Sequence, residues 1–465
     1  MSSSTAATTP LTAGFVNVRK RDWQTILLIG VAHASSHFFQ LVLPSLYVSL
    51  GNEFGYDFAR LGLLVSTFYA VSGMGQASSG FLVDRIGARP VLWFGLSCFI
   101  VSGLMIGSAN GYTMLLLAAA LGGVGNSIFH PVDYSLINRR ISAPRLGHAF
   151  SAHGLTGNLG WALTPVFMTT LILLANWRVA AFGAAALVAV VLVLTIIGRH
   201  LLSDDIPADM REAAAPAASV SSTKATAASM PSSGATAAAT VAATPAAAAT
   251  AATTTASTAA AAAAATPAVG PKLMILLRSP ALWCAFLFFA FTSLALAAVQ
   301  NYSIPLLREL YSLSAVASSS ALSGYMLASA VGMLAGGFLV ARAHTEQIVL
   351  IALVLAGCTL VWLSMGGVPA WLAAPIVALA GFCAGVAGPS RDMLIRRVTP
   401  KGAVGSVYGL VYSGMDVGSA VAPLAFGMLL DMGLTSGPWI GAGVAFVIGA
   451  FLAQFIARYA RLQGR

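Results

Sequence analysis

Histidine and acidic side chains recur at helical spacing inside strongly apolar stretches of this sequence. His33 and His37 lie four residues apart, and His130 and Asp133 lie three apart, so each pair occupies one face of a helix. His153 stands in a further apolar stretch. Because histidine titrates near neutral pH and a nearby carboxylate can hold its proton, this set of residues is suited to loading and releasing protons.

Two other interpretations of the same five residues stay open. They are ligand types that Zn²⁺, Ni²⁺ or Co²⁺ binds, but no cysteine or methionine stripe joins them, and we assign no metal site. The third interpretation is structural, because histidines inside a helical bundle commonly form hydrogen bonds between packed helices.

Charged groups also occur in the second half of the chain, at Arg391 and Asp416. A guanidinium group matches a carboxylate, phosphonate or phosphate, so Arg391 is the candidate for binding an anionic substrate. Asp133 precedes Arg391 by 258 positions, and Asn158 precedes Asp416 by the same number. We therefore expect Asp133 and Arg391 to face each other, either across a cavity or as a permanent salt bridge.

The composition shows what kind of fold must position these groups. Of the 465 residues, 58% are hydrophobic and 8% are charged, and the net charge is +10. Soluble domains carry roughly a quarter charged residues, so this chain is an integral membrane protein. Its basic residues are scattered between apolar stretches, which favours orientation in a bilayer over nucleic-acid binding.

Twelve apolar stretches reach the roughly 20 residues that a membrane-spanning helix needs. The predicted domains are a cytoplasmic tail (1–22), a six-helix bundle (23–203), a disordered cytoplasmic linker rich in Ala, Thr, Ser and Pro (204–270), and a second six-helix bundle (271–465). The predicted spans are 23–50, 58–83, 91–109, 112–138, 147–174, 178–198, 280–303, 316–341, 347–366, 371–395, 403–430 and 437–457.

The distribution of Lys and Arg predicts the orientation of these spans. With a cytoplasmic N-terminus, 20 of the 24 basic residues lie on the cytoplasmic side. The positive-inside rule then places both termini in the cytoplasm, as an even number of spans requires. The expected location is the inner membrane of a bacterium.

An internal repeat relates the two sets of spans. The motif Gly-Phe-Leu-Val-x-Arg at 80–85 returns at 337–342. The motif returns after 257 residues and the further landmarks after 258, and landmarks at nearly the same offset predict parallel halves related by an axis along the membrane normal. The further landmarks are Pro131, Gly147, Gly160 and Pro165, which return as Pro389, Gly405, Gly418 and Pro423.

The charged turn at 80–89 resembles the loop signature of the major facilitator superfamily of transporters, Gly-x-x-x-Asp-Arg-x-Gly-Arg-Arg/Lys. Ala88 is an extra residue before Arg89, and Pro90 stands at the last basic position. The resemblance covers the chain except residues 1–20 and the linker. It implies an all-α membrane protein of twelve transmembrane helices in two parallel, pseudo-symmetric six-helix bundles, with helices 1, 4, 7 and 10 lining a central cavity.

A narrower resemblance is to the fosmidomycin-resistance-like branch of that superfamily. It rests on Phe129-His130-Pro131, on Gly157-Asn158-Leu159-Gly160 with Pro165, and on His33. At His37 that branch more often carries an acid. The candidate residues for substrate binding or proton coupling are His33, His37, His130, Asp133, His153, Asn158, Arg391 and Asp416.

The superfamily turn also implies a cytoplasmic gate. Asp84 is expected to pair with Arg139 or Arg140 in one packing of the two halves and to release it in the other. The gate residues are Gly80, Asp84, Arg85, Gly87, Arg89, Arg139 and Arg140.

The function these features predict is secondary active transport by alternating access, since no GxxxxGK[ST] motif for ATP occurs. The branch resemblance implies proton-coupled export of a small anionic or amphiphilic molecule. Proton-coupled uptake of a carboxylate or a metal complex is the alternative, and the repeat argues against a membrane-embedded enzyme or receptor. The expected partners are a small-molecule substrate, protons and the lipid bilayer, with no nucleic acid and no cofactor, and the expected state is a monomer.

Overall fold

The computed structural model of the chain describes residues 11–203, 279–340, 342–399 and 404–462, and within these ranges the regular structure is entirely helical. The predicted linker and the first ten residues of the predicted tail lie outside the described residues.

The first half contains nine α-helices, and the last of them is followed by a short 3₁₀ helix at Arg199–Leu202. The α-helices are α1 (Leu11–Gln40), α2 (Val42–Ser45), α3 (Tyr47–Phe54), α4 (Phe58–Ile86), α5 (Ala88–Gly107), α6 (Tyr112–Asn126), α7 (Phe129–Arg140), α8 (Leu146–Leu174) and α9 (Trp177–Ile197).

The described part of the second half contains six longer helices. They are α10 (Pro280–Tyr311), α11 (Ala315–Leu339), α12 (Thr345–Ser364), α13 (Ala370–Val398), α14 (Val404–Asp431) and α15 (Gly437–Leu462).

Eleven segments of the described chain are long and apolar enough to cross a membrane, and they correspond to the second to twelfth predicted spans. The first predicted span is built from α1, α2 and α3, with interruptions at Leu41 and Leu46. At 30 residues, α1 alone is about 45 Å long, so its length suffices for a crossing. Polar side chains such as His33, His37 and Gln40 lower its apolarity.

Two predicted spans have different bounds in the structure. The predicted span 112–138 is divided into α6 and α7 at Ser127 and Ile128. The predicted end of the seventh span at residue 303 is wrong, because α10 continues through Pro305 to Tyr311. Proline is tolerated inside a membrane-spanning helix when neighbouring groups satisfy the freed backbone, and Leu306 and Leu307 beyond it are buried.

The internal repeat has a counterpart in the packing of the two halves. A Cβ atom at Gly160 of α8 would lie 2.2 Å from the carbonyl oxygen of Ala34 in α1. A Cβ atom at Gly418 of α14 would lie 2.1 Å from the carbonyl oxygen of Ala290 in α10. Each glycine permits a backbone contact that any side chain would block, so the related positions perform the same packing role in both halves.

One end of the molecule carries the charged turn. We call this end the basic face, defined by Arg85, Arg139, Arg199 and Arg396, and the other end the opposite face. The N-terminus of α4 lies at the opposite face, where the backbone amides of Phe58 and Ala59 donate hydrogen bonds of 2.9 and 2.7 Å to the carboxylate of Asp431 at the end of α14. This contact joins the first half to the second.

Further contacts between the halves lie near the same end. The Tyr47 hydroxyl donates a hydrogen bond of 3.0 Å to the side-chain oxygen of Asn301. The hydroxyls of Thr169 and Ser319 lie 2.5 Å apart. A Cβ atom at Gly62 would lie 2.1 Å from the carbonyl oxygen of Pro423, so α4 and α14 touch backbone to backbone.

Helices α4 and α14 are also in contact midway along α4. A Cβ atom at Gly73 would lie 3.0 Å from the Cβ atom of Asp416. Two turns further on, no atom of the described side chains lies within 4 Å of the Cβ position at Gly80. The described residues therefore form a state that is closed at the opposite face.

Candidate functional site

The candidate site is centred on Asp133 of α7, whose side chain is fully buried. Its Oδ2 atom lies 2.9 Å from Nδ1 of His33 in α1 and 3.1 Å from Nε2 of His153 in α8. Its Oδ1 atom is buried without a hydrogen-bond partner. Each of these contacts can hold a proton on the ring or on the carboxyl group, so the arrangement can take up and pass on a proton without a change of geometry.

Four histidine rings surround this carboxyl group. The rings of His33 and His153 are stacked with their centres 3.5 Å apart, and the ring of His37 lies 4.5 Å from that of His33. His130 lies 5.6 Å from His33, and its Nδ1 atom, like that of His37, is buried without a partner. The structure thus brings together five of the eight residues predicted for substrate binding or proton coupling.

A glycine in α8 makes room for two of the rings. A Cβ atom at Gly157 would lie 2.8 Å from Cε1 of His37 and 3.1 Å from Nε2 of His33. Any side chain at this position would displace the rings from α8. The sequence had marked Gly157 only through the family resemblance, because its packing role depends on a helix that is distant along the chain.

The histidine geometry also bears on metal binding. One nitrogen each from His33, His130 and His153 lies within 4.8 Å of the others. Two nitrogens bound to one Zn²⁺ are at most about 4.2 Å apart, so rings at that limit would have to move closer together to hold an ion. Asp133 already binds two of these rings, and the metal interpretation stays untested.

A polar network beside the cluster was not predicted. The indole N–H of Trp161 donates a hydrogen bond of 2.9 Å to Oε1 of Gln40, and Nε2 of Gln40 donates one of 2.9 Å to Oδ1 of Asn126. Nδ2 of Asn126 donates a bond of 2.8 Å to Ser72, and the Trp161 ring lies 4.2 Å from the His37 ring. The network links α1, α4, α6 and α8 around the histidines. Its one sequence signal is that Gln40 and Asn126 extend the histidine stripes at helical spacing.

Two other predicted residues lie apart from the cluster. Asn158 is buried, and its amide donates a hydrogen bond of 3.2 Å to the carbonyl oxygen of Gly154 within its own helix. Asp416 packs against Gly73 where the two halves meet. Their equivalent positions in the repeat do not bring them into contact with the histidines.

The described residues do not contain the salt bridge between Asp133 and Arg391 that was one of the two expectations, and the other, that they face each other across a cavity, stays a prediction. Nε of Arg391 donates a hydrogen bond of 2.9 Å to Asp392, and the guanidinium lies 4.8 Å from the centre of the Phe289 ring. Asp133 is instead taken by His33 and His153 in its own half. The repeat predicts that Asp133 and Arg391 hold equivalent positions in the two halves, but it does not predict their contacts. Arg391 contacts the carboxylate of Asp392, the next residue in the sequence.

The predicted gate residues divide into two groups. Arg139 lies 3.6 Å from Asp84, and both side chains are substantially exposed. Gly87 has a φ of 91°, which favours glycine, and it forms the sharp turn from α4 into α5. Arg85 is exposed. These residues keep the predicted gate role as a hypothesis.

Arg89 and Arg140 have other contacts. The buried Arg140 donates to the carbonyl oxygens of Leu201 and His200, at 3.1 and 3.0 Å. Arg89 stacks on Trp93, with the guanidinium 5.6 Å from the ring centre, and Nη1 of Arg89 lies 3.5 Å from the carbonyl oxygen of Arg199. Both arginines therefore hold the 3₁₀ helix at Arg199–Leu202, a contact that no local sequence pattern predicts.

Comparisons with known proteins agree with this architecture. The family model for the Major Facilitator Superfamily matches residues 27–377 and 286–461. A transporter of the POT family, solved in complex with 5-aminolevulinic acid, has the same fold, with a TM-score of 0.69 at 12% identity, and the match covers 94% of this chain and 96% of that one.

Several curated proteins are similar to this chain, and some of them are named as transporters. The chain is 34% identical over 170 residues to the fosmidomycin resistance protein of Escherichia coli K12, a match that covers 36% of this chain and 41% of that protein. It is 28% identical to a probable 4-methylmuconolactone transporter of Cupriavidus pinatubonensis, over 45% of this chain and 48% of the relative. The chain thus matches less than half the length of each of these two relatives.

A third relative matches over a longer range. A probable nitrate/nitrite transporter of Mycobacterium tuberculosis is 24% identical over 84% of this chain and 85% of its own length. Taken with the family model, the all-helical fold and the eleven apolar spans found in the described residues, these matches confirm the fold class and family predicted from the sequence: the chain is a multi-pass membrane protein and belongs to the Major Facilitator Superfamily.

Proposed function

We propose that this protein exports a small anionic or amphiphilic molecule across the bacterial inner membrane in exchange for protons. The observation that supports this most strongly is the fully buried carboxyl group of Asp133, which contacts two histidine rings. Ionisable groups at membrane depth are costly and usually serve an ion or substrate pathway. In this proposal the basic face lies in the cytoplasm, as the positive-inside rule predicts.

Alternating access would proceed by rocking of two units, residues 23–203 and 271–465, about the central site. The described state is closed at the opposite face by contacts such as that between Asp431 and the N-terminus of α4. Opening towards the exterior requires these contacts to break. The predicted pair of Asp84 with Arg139 acts at the other end of α4.

Proton coupling would use the two contacts of the Asp133 carboxyl group. His37 and His130 are only partly buried, so they connect the more deeply buried His33 and His153 with the space between the halves. A proton that enters from one side can be held between Asp133 and a ring, and it leaves when the site faces the other side. Tyr134 and Asp392 are the other ionisable groups facing this region.

Substrate binding would use Arg391 on the second half. Its guanidinium is only partly buried and rests on Phe289, so it can offer N–H groups to an anion. Because Asp392 already accepts a hydrogen bond from this guanidinium, an anionic substrate would compete with Asp392 and would bind weakly. The names of two relatives, a fosmidomycin resistance protein and a probable 4-methylmuconolactone transporter, suggest the first compounds to test.

The test measures proton movement in everted membrane vesicles from cells that express the protein. With an acidic interior, an added exported compound should collapse the pH gradient as it exchanges for protons. Fosmidomycin and 4-methylmuconolactone are the first probes. Asp133→Asn should abolish the collapse, whereas Asp57→Asn, which retains a good N-cap for α4, should behave as wild type.

The same assay distinguishes the alternatives. A gradient collapse that is as fast in Asp133→Asn as in the wild type would contradict the proposed coupling site. Collapse caused by Ni²⁺ or Zn²⁺ alone would favour transport of a metal, which the grouping of His33, His130 and His153 makes worth testing. Uptake by symport would produce no collapse from this side, so growth on a carboxylate would then be the measurement.

A further inference from the structure

We propose that the basic face carries a binding site for the phosphate of an anionic phospholipid, formed by Arg89, Trp93 and Arg199. Arg89 and Trp93 stand at the start of α5, and Arg199 stands at the end of the sixth span. The proposal needs only the membrane embedding of the chain and does not depend on the transport mechanism.

Two hydrogen-bond donors at this place lack an acceptor. Nε of Arg89 and Nε1 of Trp93 are both buried without a hydrogen-bond partner. The two residues lie four positions apart on α5, and the guanidinium lies 5.6 Å from the centre of the indole ring. Buried donors are almost always paired, so a group with acceptor oxygens is expected to approach them.

The structure holds a second basic residue against the first. Nη1 of Arg89 lies 3.5 Å from the backbone carbonyl oxygen of Arg199. Arg199 is an exposed residue. The buried Arg140 donates hydrogen bonds to the carbonyl oxygens of His200 and Leu201, which belong to the same 3₁₀ helix as Arg199. Hydrogen bonds from Arg89 and Arg140 to the backbone of the 3₁₀ helix thus hold Arg199 beside Arg89.

A phosphate has the chemistry that these groups require. Guanidinium groups bind phosphate oxygens through directed, charge-assisted hydrogen bonds. An indole N–H can supply one further donor. Basic pockets between helices at the cytoplasmic side of a membrane protein are suited to anionic lipid headgroups.

The surface next to this site favours a lipid over free phosphate. Helices α5 and α9 pack against each other, and both present apolar side chains to the surface as they run away from the basic face. Phe94 and Val101 of α5 are 51% and 46% exposed, and Leu194 and Ile197 of α9 are 45% and 71% exposed. A lipid with its phosphate at Arg89 could lay its acyl chains along these residues.

The experiment measures lipid retention by the purified full chain in detergent, using native mass spectrometry with added phosphatidylglycerol or phosphatidylcholine. The wild type should retain phosphatidylglycerol preferentially. Arg89→Gln should weaken this retention by about fivefold to tenfold. Arg396→Gln is the matched control, because Arg396 is an exposed arginine at the same face in the other half, and it should retain the lipid as the wild type does.

Trp93→Phe is the second variant, since it keeps the ring under the guanidinium and removes only the N–H group. It should also lower retention of phosphatidylglycerol, and it keeps the proposal testable if Arg89→Gln does not fold. Equal losses in Arg89→Gln and Arg396→Gln would overturn the site. Equal retention of phosphatidylcholine would also overturn it, and so would thermal stabilisation by glycerol phosphate as large as that by phosphatidylglycerol, which would point to free phosphate.

Discussion

The absence of a side chain at Gly157 is as important to the histidine cluster as the histidines themselves. Its hydrogen faces both His37 and His33, and a methyl group there would lie 2.8 Å from the nearest ring atom. Since the rings are held on their other side by Asp133 and His153, they have little room to retreat. The position of one glycine thus limits where the rings of the histidine cluster can lie.

Gly157→Ala should therefore displace the rings and strongly reduce proton-coupled transport. The expected cost of overpacking is about 1–3 kcal/mol, expressed as loss of gradient collapse in everted vesicles. Gly154→Ala is the control, because nothing lies within 4 Å of a Cβ at that position of the same helix. Equal activity in both variants would mean that the ring positions do not matter for coupling.

Trp161→Phe tests the polar network in a similar way. The change removes the N–H group that donates to Gln40 but keeps an aromatic ring beside His37. Losing one buried hydrogen bond costs about 1–3 kcal/mol, so we expect a lower melting temperature and slower transport, with membrane insertion intact. A melting temperature and transport rate unchanged from wild type would show that the network does not support the cluster.

The sequence predicts the residues of the cluster better than their partners. Helical spacing identified the faces that carry His33, His37, His130 and Asp133, because spacing within one helix is a local property. Which atoms meet depends on how distant helices pack, and so the sequence did not predict that Asp133 contacts His33 and His153 rather than forming a salt bridge with Arg391. The sequence does not show that Gln40 belongs to a polar network, because its partners lie on the distant helices α4, α6 and α8.

At the scale of elements, α4 connects both ends of the molecule. Its N-terminus receives the Asp431 carboxylate from the second half, and its other end carries Asp84 beside Arg139 of the first half. Between these ends it touches α14 through Gly62. A single helix can thus move with one half while making and breaking contacts with the other.

Gly62→Ala should hinder closure of the opposite face. The added methyl group would lie 2.1 Å from the carbonyl oxygen of Pro423, which is backbone and cannot move aside easily. We expect faster labelling of the central site from the exterior and slower transport. Gly111→Ala, at the same end of the molecule with nothing within 4 Å, should change neither, and similar labelling rates in both variants would argue against the closure role of α4.

Asp84→Asn should leave membrane insertion unchanged and abolish most transport. The carboxylate lies 3.6 Å from Arg139, and the neutral amide cannot form that ion pair when the halves exchange packings. The transport rate in vesicles is the measurement, with the amount of inserted protein as its control. A rate equal to that of the wild type would remove Asp84 from the gate.

Element boundaries show where sequence patterns lose information. Apolar length predicted eleven of the spans because each is a long continuous property of the chain. The division between α6 and α7 falls at Ser127 and Ile128. Pro131 cannot donate a backbone hydrogen bond to the carbonyl of Ser127, but a count of apolar residues does not register this. Helix α10 extends beyond residue 303, and near this point Asn301 contacts Tyr47, a long-range contact that no local pattern contains.

At the scale of the whole molecule, the arrangement of the two halves follows from the internal repeat. Gly160 and Gly418 make equivalent backbone contacts in the two halves, so duplication of one packing plan accounts for the parallel arrangement. The four clustered histidines lie in the first half, whereas Arg391 lies in the second. We infer that proton and substrate sites are divided between the halves, which would couple them through the relative motion of the halves.

The most direct test of this account is the accessibility of the central site from each side of the membrane. The four cysteines, Cys98, Cys284, Cys358 and Cys383, are replaced by serine, and Tyr134→Cys places a thiol next to His130. An impermeant maleimide is then applied to right-side-out and everted vesicles, with and without an imposed pH gradient. We expect labelling mainly from the side of the basic face at rest, and a shift towards the opposite side when the gradient drives transport. A thiol that is labelled from neither side, or equally from both under every condition, would contradict alternating access to this site.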